Sequence, residues 1–414
     1  NNYMNIHILQ KNLAENDFEV VERKGVGHPD TLADALAERL SSAYSQYTLS
    51  QFGAVLHHNF DKVGLLGGAS HVTFGDGHMT APIRVLINGR ASISFAGKPI
   101  PLNELLTEWV REFLINALPQ INPERDIDIH FNLSNASSPG KTDEEKAVHG
   151  TRQYWFEPRS LDDIGELKRL VANDTSLGVG SAPRTNLEQV VLEIEQRLTS
   201  PDMRNRYPWM GTDVKILAHR IKSRFLITMC IPQIANHVPD VEAYKRNLEI
   251  SRGIVMDTLA QFGIDAENCE LSINTRDKFD VSELYLTATG SSIESGDEGL
   301  VGRGNRIHRL ITPVRPMSME GAAGKNPVYH IGKLYYITAQ RISDEIFALL
   351  NLKNEVFLSS QSGHDLFDPW VAVVQVGEDA SQEQHQKIEF IVEENLRRIP
   401  ALTEEIIQKG VSLS

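Results

Sequence analysis

Residues Gly296 to Lys333, GDEGLVGRGNRIHRLITPVRPMSMEGAAGKNPVYHIGK, gather glycines, two opening carboxylates and the cations Arg303, Arg306, Arg309, Arg315, Lys325 and Lys333. Glycine lets backbone approach a ligand closely, and arginine and lysine pair with phosphate oxygens. Successive backbone N–H groups make anion-binding concavities, while acidic side chains offer oxygens to a metal ion. The combination predicts a polyphosphate cradle. The Gly-Lys-Asn-Pro run reads as a helix start that would add its own N-terminal field. A glycine-rich surface loop with solvated charge is the plain alternative.

Four shorter constellations point the same way. In ERKGVGHPDTLAD, residues 22–34, Gly25 and Gly27 lead into His28-Pro29-Asp30 at a helix start. His28 is placed to hydrogen-bond a phosphate or bridging oxygen and Asp30 to ligate Mg²⁺. A satisfied turn histidine and a first-turn carboxylate would read alike. In HHNFDKVGLLGG, residues 57–68, the adjacent His57 and His58 face opposite sides of a strand, which argues against a paired zinc site. Asn59 and Asp61 share one face and border a pocket. In ANDTSLGVGSAP, residues 172–183, Asp174 lies among hydroxyls and glycines before a helix expected from Pro183–Arg184, as ligand contact or helix-entry turn. In GTDVKIL, Asp213 and Lys215 stand two apart on an expected strand, so both face one side. That spacing suits ribose hydroxyl and phosphate, or a surface ion pair. No GxxxxGK[ST] motif occurs, which excludes a P-loop protein.

Two long amphipathic helices must position these groups. One runs from Pro29 to about Gln51, with Leu32, Leu36, Leu40 and Tyr44 at spacings of four and Gly53 beyond its end. The other is expected over 327–351, starting at Pro327. Shorter helices are expected near 102–117, 184–200, 240–262 and 382–398. Between them lie strand-like segments at 55–66, 83–95, 126–132, 214–218, 225–231, 270–274, 284–289, 355–358 and 371–376. Groups of strands followed by one or two helices, a rhythm that recurs three times, predict an α+β fold with mixed or antiparallel sheets. Boundaries fall near 125 and 270, giving units 1–125, 126–270 and 271–414. Residues 134–165 read as a long mobile loop or insertion.

The chain has 414 residues, 41% hydrophobic and 23% charged, with a net charge of −14. That charge opposes general binding to nucleic acid or membrane surfaces, so the cation-rich stretch points to a small anionic ligand. No apolar run is long enough to span a bilayer. The sequence NNYMNIHILQKN lacks signal-peptide character, and only Cys230 and Cys269 occur, so the cytoplasm is the expected compartment.

Together the segments VERKGVGHPDTLADALAE, LHHNFDKVGLLGG, VANDTSLGVGSAP, GTDVKIL and 296–333 resemble the S-adenosylmethionine synthetase (methionine adenosyltransferase) family in its archaeal form. They follow the family's order from residue 20 to 335; the chain beyond about 350 carries little signature. The resemblance implies attack of the methionine sulfur on C5′ of ATP, expulsion of triphosphate and its cleavage to phosphate and diphosphate. The leaving group bears about four negative charges, so each fixed cation should matter by about 3 kcal/mol. Carried over by motif, His28 steadies the triphosphate near the breaking bond and Asp30 ligates Mg²⁺. Asp213 and Lys215 hold ribose and phosphate, and Asp297 lies near the methionine amino group. Arg303 and Lys325 bind phosphate, Asp174 borders the pocket, and Arg306 adds charge nearby. The resemblance also implies three similar subdomains of mixed or antiparallel sheet packed with long helices, a homodimer with active sites at its interface, and Mg²⁺ with a K⁺ site. Gly64, Ala69, Tyr329 and His308-Arg309 depart from the archaeal pattern. Gly64, Ala69 and Tyr329 motivate an alternative, a paralogue taking a methionine analogue or other sulfur substrate. A nucleotide-binding regulator without turnover is the reading from another class.

Overall fold

The computed structural model describes residues 4–136 and 154–414. Its frame is three mixed sheets backed by helices and built to one plan. Their strands are β1 (Ile6–Gln10), β2 (Phe18–Lys24), β3 (Gly64–Leu66), β4 (Ile83–Ala91), β5 (Ile127–Ser134) and β6 (Leu177–Ala182). The chain continues with β7 (Lys215–Ile221), β8 (Arg224–Cys230), β9 (Cys269–Ile273), β10 (Glu298–Leu300), β11 (Asn354–Ser359) and β12 (Val371–Val376). The main helices are α1 (Pro29–Phe52), α2 (Leu102–Ala117), α3 (Asn186–Leu198), α4 (Val241–Gln261), α5 (Ile331–Leu350), α6 (Gln382–Arg397) and α7 (Ile399–Lys409).

The strand orders are β5-β4-β3-β10, β9-β8-β7-β2 and β1-β12-β11-β6. Each sheet opens on a parallel pair and continues antiparallel. A parallel neighbour needs a crossover, which α2 supplies between β4 and β5 and α4 between β8 and β9. The fourth strand of each sheet hands the chain to another core. Strand β2 closes the second sheet and runs into α1, whose Leu32, Leu36, Leu40 and Tyr44 pack with Val85 and Ile87 of the first. Strand β6 closes the third sheet and leads to α3, whose Leu187, Val190 and Ile194 belong to the second core. Strand β10 closes the first sheet and leads to α5 in the third core, with Leu334, Ile342, Val356 and Val374. These crossings carry the glycine-rich motifs from sheet edge to helix start.

The hand-over from β6 explains two glycines. A Cβ on Gly178 or Gly180 would lie 2.3 Å from the carbonyl oxygen of Tyr335 or Ala339 on α5, so the strand lies on the helix only because both side chains are missing.

Several expectations need correction. The second long helix starts at Ile331, not Pro327; the Asn326-Pro327 segment is a turn, with the Asn326 side chain accepting the N–H of Val328 and the Asn326 carbonyl that of His330. The expected strand over 55–66 is two short strands, His58–Asn59 and β3, because the N–H of Phe60 turns aside to the carbonyl of Gly324. Residues 177–182 form β6, and the following helix begins at Asn186 behind a Thr185 cap. Strand β7 begins at Lys215, so Asp213 lies outside it: its N–H goes to Gly290 and it is buried. Of the loop expected over 134–165, residues 137–153 lie outside the described residues. Tyr154–Phe156 and two short 3₁₀ turns at 161–167 follow, and Trp155 stacks on His57 at 4.4 Å. Among the described residues no helix is long and apolar enough to cross a membrane.

Candidate active site

His28 caps α1. Its Nδ1 accepts the N–H of Asp30 at 3.1 Å, and Pro29 at the first helical position supplies the fixed φ. With Nδ1 an acceptor, the neutral ring carries its proton on Nε2 as a donor. Burial, together with the charges of Lys24 and Lys215, lowers the His28 pKa to about 4 against the pull of Asp30 and Asp297. The unfolded chain therefore takes up this proton first. His28's contribution to stability is complete above its ordinary pKa of 6.5 and is lost as pH falls towards about 4. The ring signals of His28 in a proton NMR titration should accordingly stay unshifted from pH 8 to pH 5, and a midpoint in the ordinary histidine range would contradict this environment.

Asp30 is nearly buried and tied on both oxygens. Oδ2 accepts from Lys24 Nζ at 2.8 Å, and Oδ1 from the N–H of Leu300 at 3.0 Å. Burial opposes ionisation here, but the Lys24 and Leu300 hydrogen bonds and the Lys24 charge prevail and hold the carboxyl below its usual range. One turn along, Asp34 Oδ1 accepts the N–H of Gly302 at 3.0 Å, while its buried Oδ2 has no hydrogen-bond partner among the described residues. Burial pushes the Asp34 pKa up to about 7. Two carboxylates at i and i+4 thus receive alternate amides of the glycine-rich loop and bind it to the helix.

A Cβ at Gly299 would lie 1.9 Å from the Pro29 carbonyl oxygen, inside any allowed contact. Gly299→Ala should cost about 1–3 kcal/mol of stability through overpacking. It should also depress catalysis, read as a lowered melting temperature together with a lowered kcat in the folded fraction.

The other predicted residues sort into two groups. Asp213 Oδ2 accepts from Ser292 N at 2.8 Å and Ser292 Oγ at 2.7 Å, and Ser292 Oγ also lies 2.9 Å from Asp297 Oδ2. Burial raises the Asp213 pKa to about 6 in spite of those bonds, and Asp297 adds to the rise. Lys215 Nζ lies 3.4 Å from Glu22 on the neighbouring strand. Arg303 has an exposed side chain, and its carbonyl accepts from Lys24 Nζ at 2.6 Å. His28, Asp30, Asp213, Lys215, Asp297 and Arg303 therefore gather at the start of α1.

Asp174 and Lys325 do not join them. Lys325 is buried beside Glu320, whose other oxygen accepts from Ser176. Burial works against the Glu320 charge, yet the Lys325 contact keeps that carboxyl below its ordinary range. Asp174 borders a cavity of about 500 Å³ with Asn59, Asp61, Lys62, Arg90, Trp155, Tyr329 and His330. The Lys325 carbonyl accepts from Ser41 on α1, eleven residues beyond Asp30. At 1.5 Å per residue that is about 16 Å along the helix. The candidate residues of one chain thus fall in two separate groups.

Arg306 acts on the α1 group through Asp34, whose ionisation its charge favours, and its guanidinium faces the loop. Its guanidinium donates to the carbonyls of Gly302, Gly304, Met319 and Glu320, so it clasps the loop from within. Among the departures, Tyr329 donates or accepts at 2.9 Å with His57 Nδ1, and Arg309 adopts a left-handed turn with φ 75°. Lys24, Asp34, Ser292 and His330 were missed. Lys24 stands in the same motif as His28, and its strand placement beside Lys215 was the available signal.

Among the described residues no group of three or more His, Cys, Asp or Glu side chains is placed to hold a metal ion by itself. The donor set fits an ion shared between one carboxylate and ligand phosphates.

The chain matches the model of the S-adenosylmethionine synthetase (AdoMet synthetase) family over residues 3–410. It is 38% identical to the "Probable S-adenosylmethionine synthase" of Aquifex aeolicus over 97% of this chain and 96% of that one. It is 36% identical to the S-adenosylmethionine synthase of Hyperthermus butylicus, over 97% and 96%, and 35% identical to that of Haloarcula marismortui, over 99% and 98%. In fold it is similar to an unusual S-adenosylmethionine synthetase from Campylobacter jejuni, with a TM-score of 0.60, 14% identity and coverage of 94% and 90% of the two chains.

Proposed function

The chain belongs to the S-adenosylmethionine synthetase family and is a methionine adenosyltransferase, and on that premise we propose how its residues divide the work. The supporting observation is the meeting of three remote segments at the start of α1, where His28, Asp30, Asp213, Lys215, Asp297 and the Arg303 backbone surround one helix N-terminus. ATP lies there with its triphosphate against that helix start. Asp213, locked by Ser292, receives ribose hydroxyls. Asp297, joined to Asp213 through Ser292, faces the methionine ammonium. A thioether needs no deprotonation, only alignment with C5′. As the C5′–O bond breaks, the His28 Nε2–H donates to the departing oxygen while Lys215 and Arg303 neutralise the growing phosphate charge. Lys325, freed from Glu320, and the cavity beside Asp174 complete the site.

Asp30 is the residue that would hold Mg²⁺, because a carboxylate has room for further ligands beyond its two protein bonds and Mg²⁺ takes most of its ligands from phosphate and water. Bound there, the ion would supply charge neutralisation to the triphosphate. K⁺, expected from the resemblance, has no residue assigned to it. Arg306 acts by fixing the loop that carries Arg303.

Because the two half-sites lie apart in one chain, each active site is composed of the α1 half-site of one protomer and the Asp174–Lys325 half-site of a second. A homodimer follows by two-fold symmetry. The outward face of the second sheet supports this arrangement: Leu217 and Ile221 follow Lys215 on that face, and they and Phe18 are 37%, 49% and 45% exposed. The three sheet-and-helix units are the three subdomains, interleaved through β1, β2, β6 and β10; the expected boundaries near 125 and 270 shift to beyond β5 and β9, since Ile127–Ser134 completes the first sheet and Cys269–Ile273 the second. The proposed compartment is the cytoplasm, in keeping with two free cysteines.

Incubation with ATP, Mg²⁺ and methionine, followed by mass detection of the sulfonium product and of phosphate plus diphosphate, tests this reading. Preference for longer S-alkyl homocysteines would instead establish the methionine-analogue alternative, and nucleotide binding with no turnover the regulator.

A further inference from the structure

Two of the three long helices that follow a hand-over strand begin alike. His28 caps α1 and His330 caps α5, and in each the Nδ1 accepts an amide of the first turn, from Asp30 at 3.1 Å and from Gly332 at 3.2 Å. In a neutral ring this tautomer leaves Nε2 as a donor. The third such helix, α3, begins on Thr185, whose capping box with Glu188 is closed by Arg315. That start is filled by protein. The α5 amides are also taken by protein, Ile331 N–H by Asn173 Oδ1 and Gly332 N–H by His330 Nδ1, but its cap keeps a free donor: His330 is 9% exposed, its Nε2 has no partner among the described residues, and the residue borders the 500 Å³ cavity. Lys62 and Arg90 line the same cavity.

We propose that His330 binds substrate: its Nε2–H, beside Lys62 and Arg90, holds an anionic oxygen, phosphate or carboxylate, in this cavity. Burial first, then the charges of Lys325, Lys333 and Lys62, keep the imidazole neutral, so its single remaining proton stays on the cavity side. The inference rests on the reading of the cavity as half of the substrate site. It makes the two half-sites chemically similar, each presenting the neutral imidazole donor of a helix-capping histidine to an anion.

Two variants separate binding from capping. In His330→Asn the short side chain still caps the helix but cannot reach the cavity. In His330→Gln the longer amide restores a donor near the position of Nε2 while the cap is lost. The asparagine variant should keep its melting temperature and raise a substrate KM by about tenfold, the loss expected for one hydrogen bond to a charged group. The glutamine variant should recover part of that loss despite a lower melting temperature. If the oxygen is phosphate, the KM for ATP rises and cleavage of added tripolyphosphate without methionine slows. If it is carboxylate, only the methionine KM rises, and the disadvantage of methioninamide relative to methionine shrinks. An asparagine variant with wild-type KM for both substrates, or a glutamine variant no better than asparagine in its folded fraction, would overturn the proposal. Absence of product from the wild-type protein would instead strike at the parent reading, and calorimetric binding of tripolyphosphate to the variants would still test His330.

Discussion

Arg303→Ala should reduce S-adenosylmethionine formation by about 10²–10³-fold, the cost of removing one preorganised charge from a developing anion. The fold should not notice. The Arg303 side chain is exposed, whereas its backbone is held independently by Lys24 and by the Leu300 carbonyl. A surface truncation of this kind changes stability by about 0.5 kcal/mol or less, so unfolding curves should superimpose. Lys325→Ala should be impaired in turnover for the same electrostatic reason. It sits in the other half-site, and Glu320, its partner, keeps 30% of its side chain accessible and can be solvated. Mixing the two inactive chains after unfolding and refolding supplies the sharper result. In a mixed dimer, one of the two interface sites collects both intact half-sites, so about a quarter of wild-type activity should return. A site complete within one chain would show no recovery at any mixing ratio. Recovery would also place Arg303 and Lys325 in one site, though α1 holds them apart in each protomer.

The sequence resolved short-range causes well. His28, Pro29 and Asp30 stand at a helix start because capping, the proline φ and the first-turn carboxylate are local effects, and α1 ends at Gly53 in the left-handed region as its composition predicts. The α+β class was legible for the same reason. What it did not resolve depended on partners hundreds of residues away. Asp213 and Lys215 looked equivalent at a spacing of two, but Asp213 is drawn off the strand by Ser292 and Gly290. Arg306 carried the same charge as Arg303 and stood three residues along. Only the positions of four carbonyls separate a loop clasp from an exposed cation. The resemblance pointed to the site residues and to an interface site but not to their separation into two groups along α1, since motif order says nothing about distance within one chain. Glu195 was wholly silent. It occupies an amphipathic helix in which a glutamate normally faces water.

Glu195 is instead fully buried against Arg23, with both side chains 0% exposed. Its Oε2 accepts from Arg23 Nε at 3.0 Å and Nη2 at 2.8 Å, and its Oε1 accepts the N–H of Val26 at 3.0 Å. Arg23 in turn donates to the Arg309 carbonyl. One carboxylate thus fixes the GVG turn that precedes His28 and, through Arg23, the far end of the loop that carries Arg303. Glu195→Ala strands a buried guanidinium and should cost about 3–5 kcal/mol, enough to lower the denaturation midpoint severely. A buried pair replaced by apolar residues often recovers such a loss, so the double variant Arg23→Met with Glu195→Leu should regain most of the stability. Activity should not return with it. The Val26 N–H stays unpaired and the turn is free to shift, and a displacement of about 1 Å at a reacting group is worth about a hundredfold in rate. Stability restored with kcat still depressed would identify Glu195 as a positioning residue for His28. Full recovery of both would reduce the pair to a structural ion pair, and the GVG turn would then be held by its contacts with the Thr212 and Val214 carbonyls and the Ser291 hydroxyl.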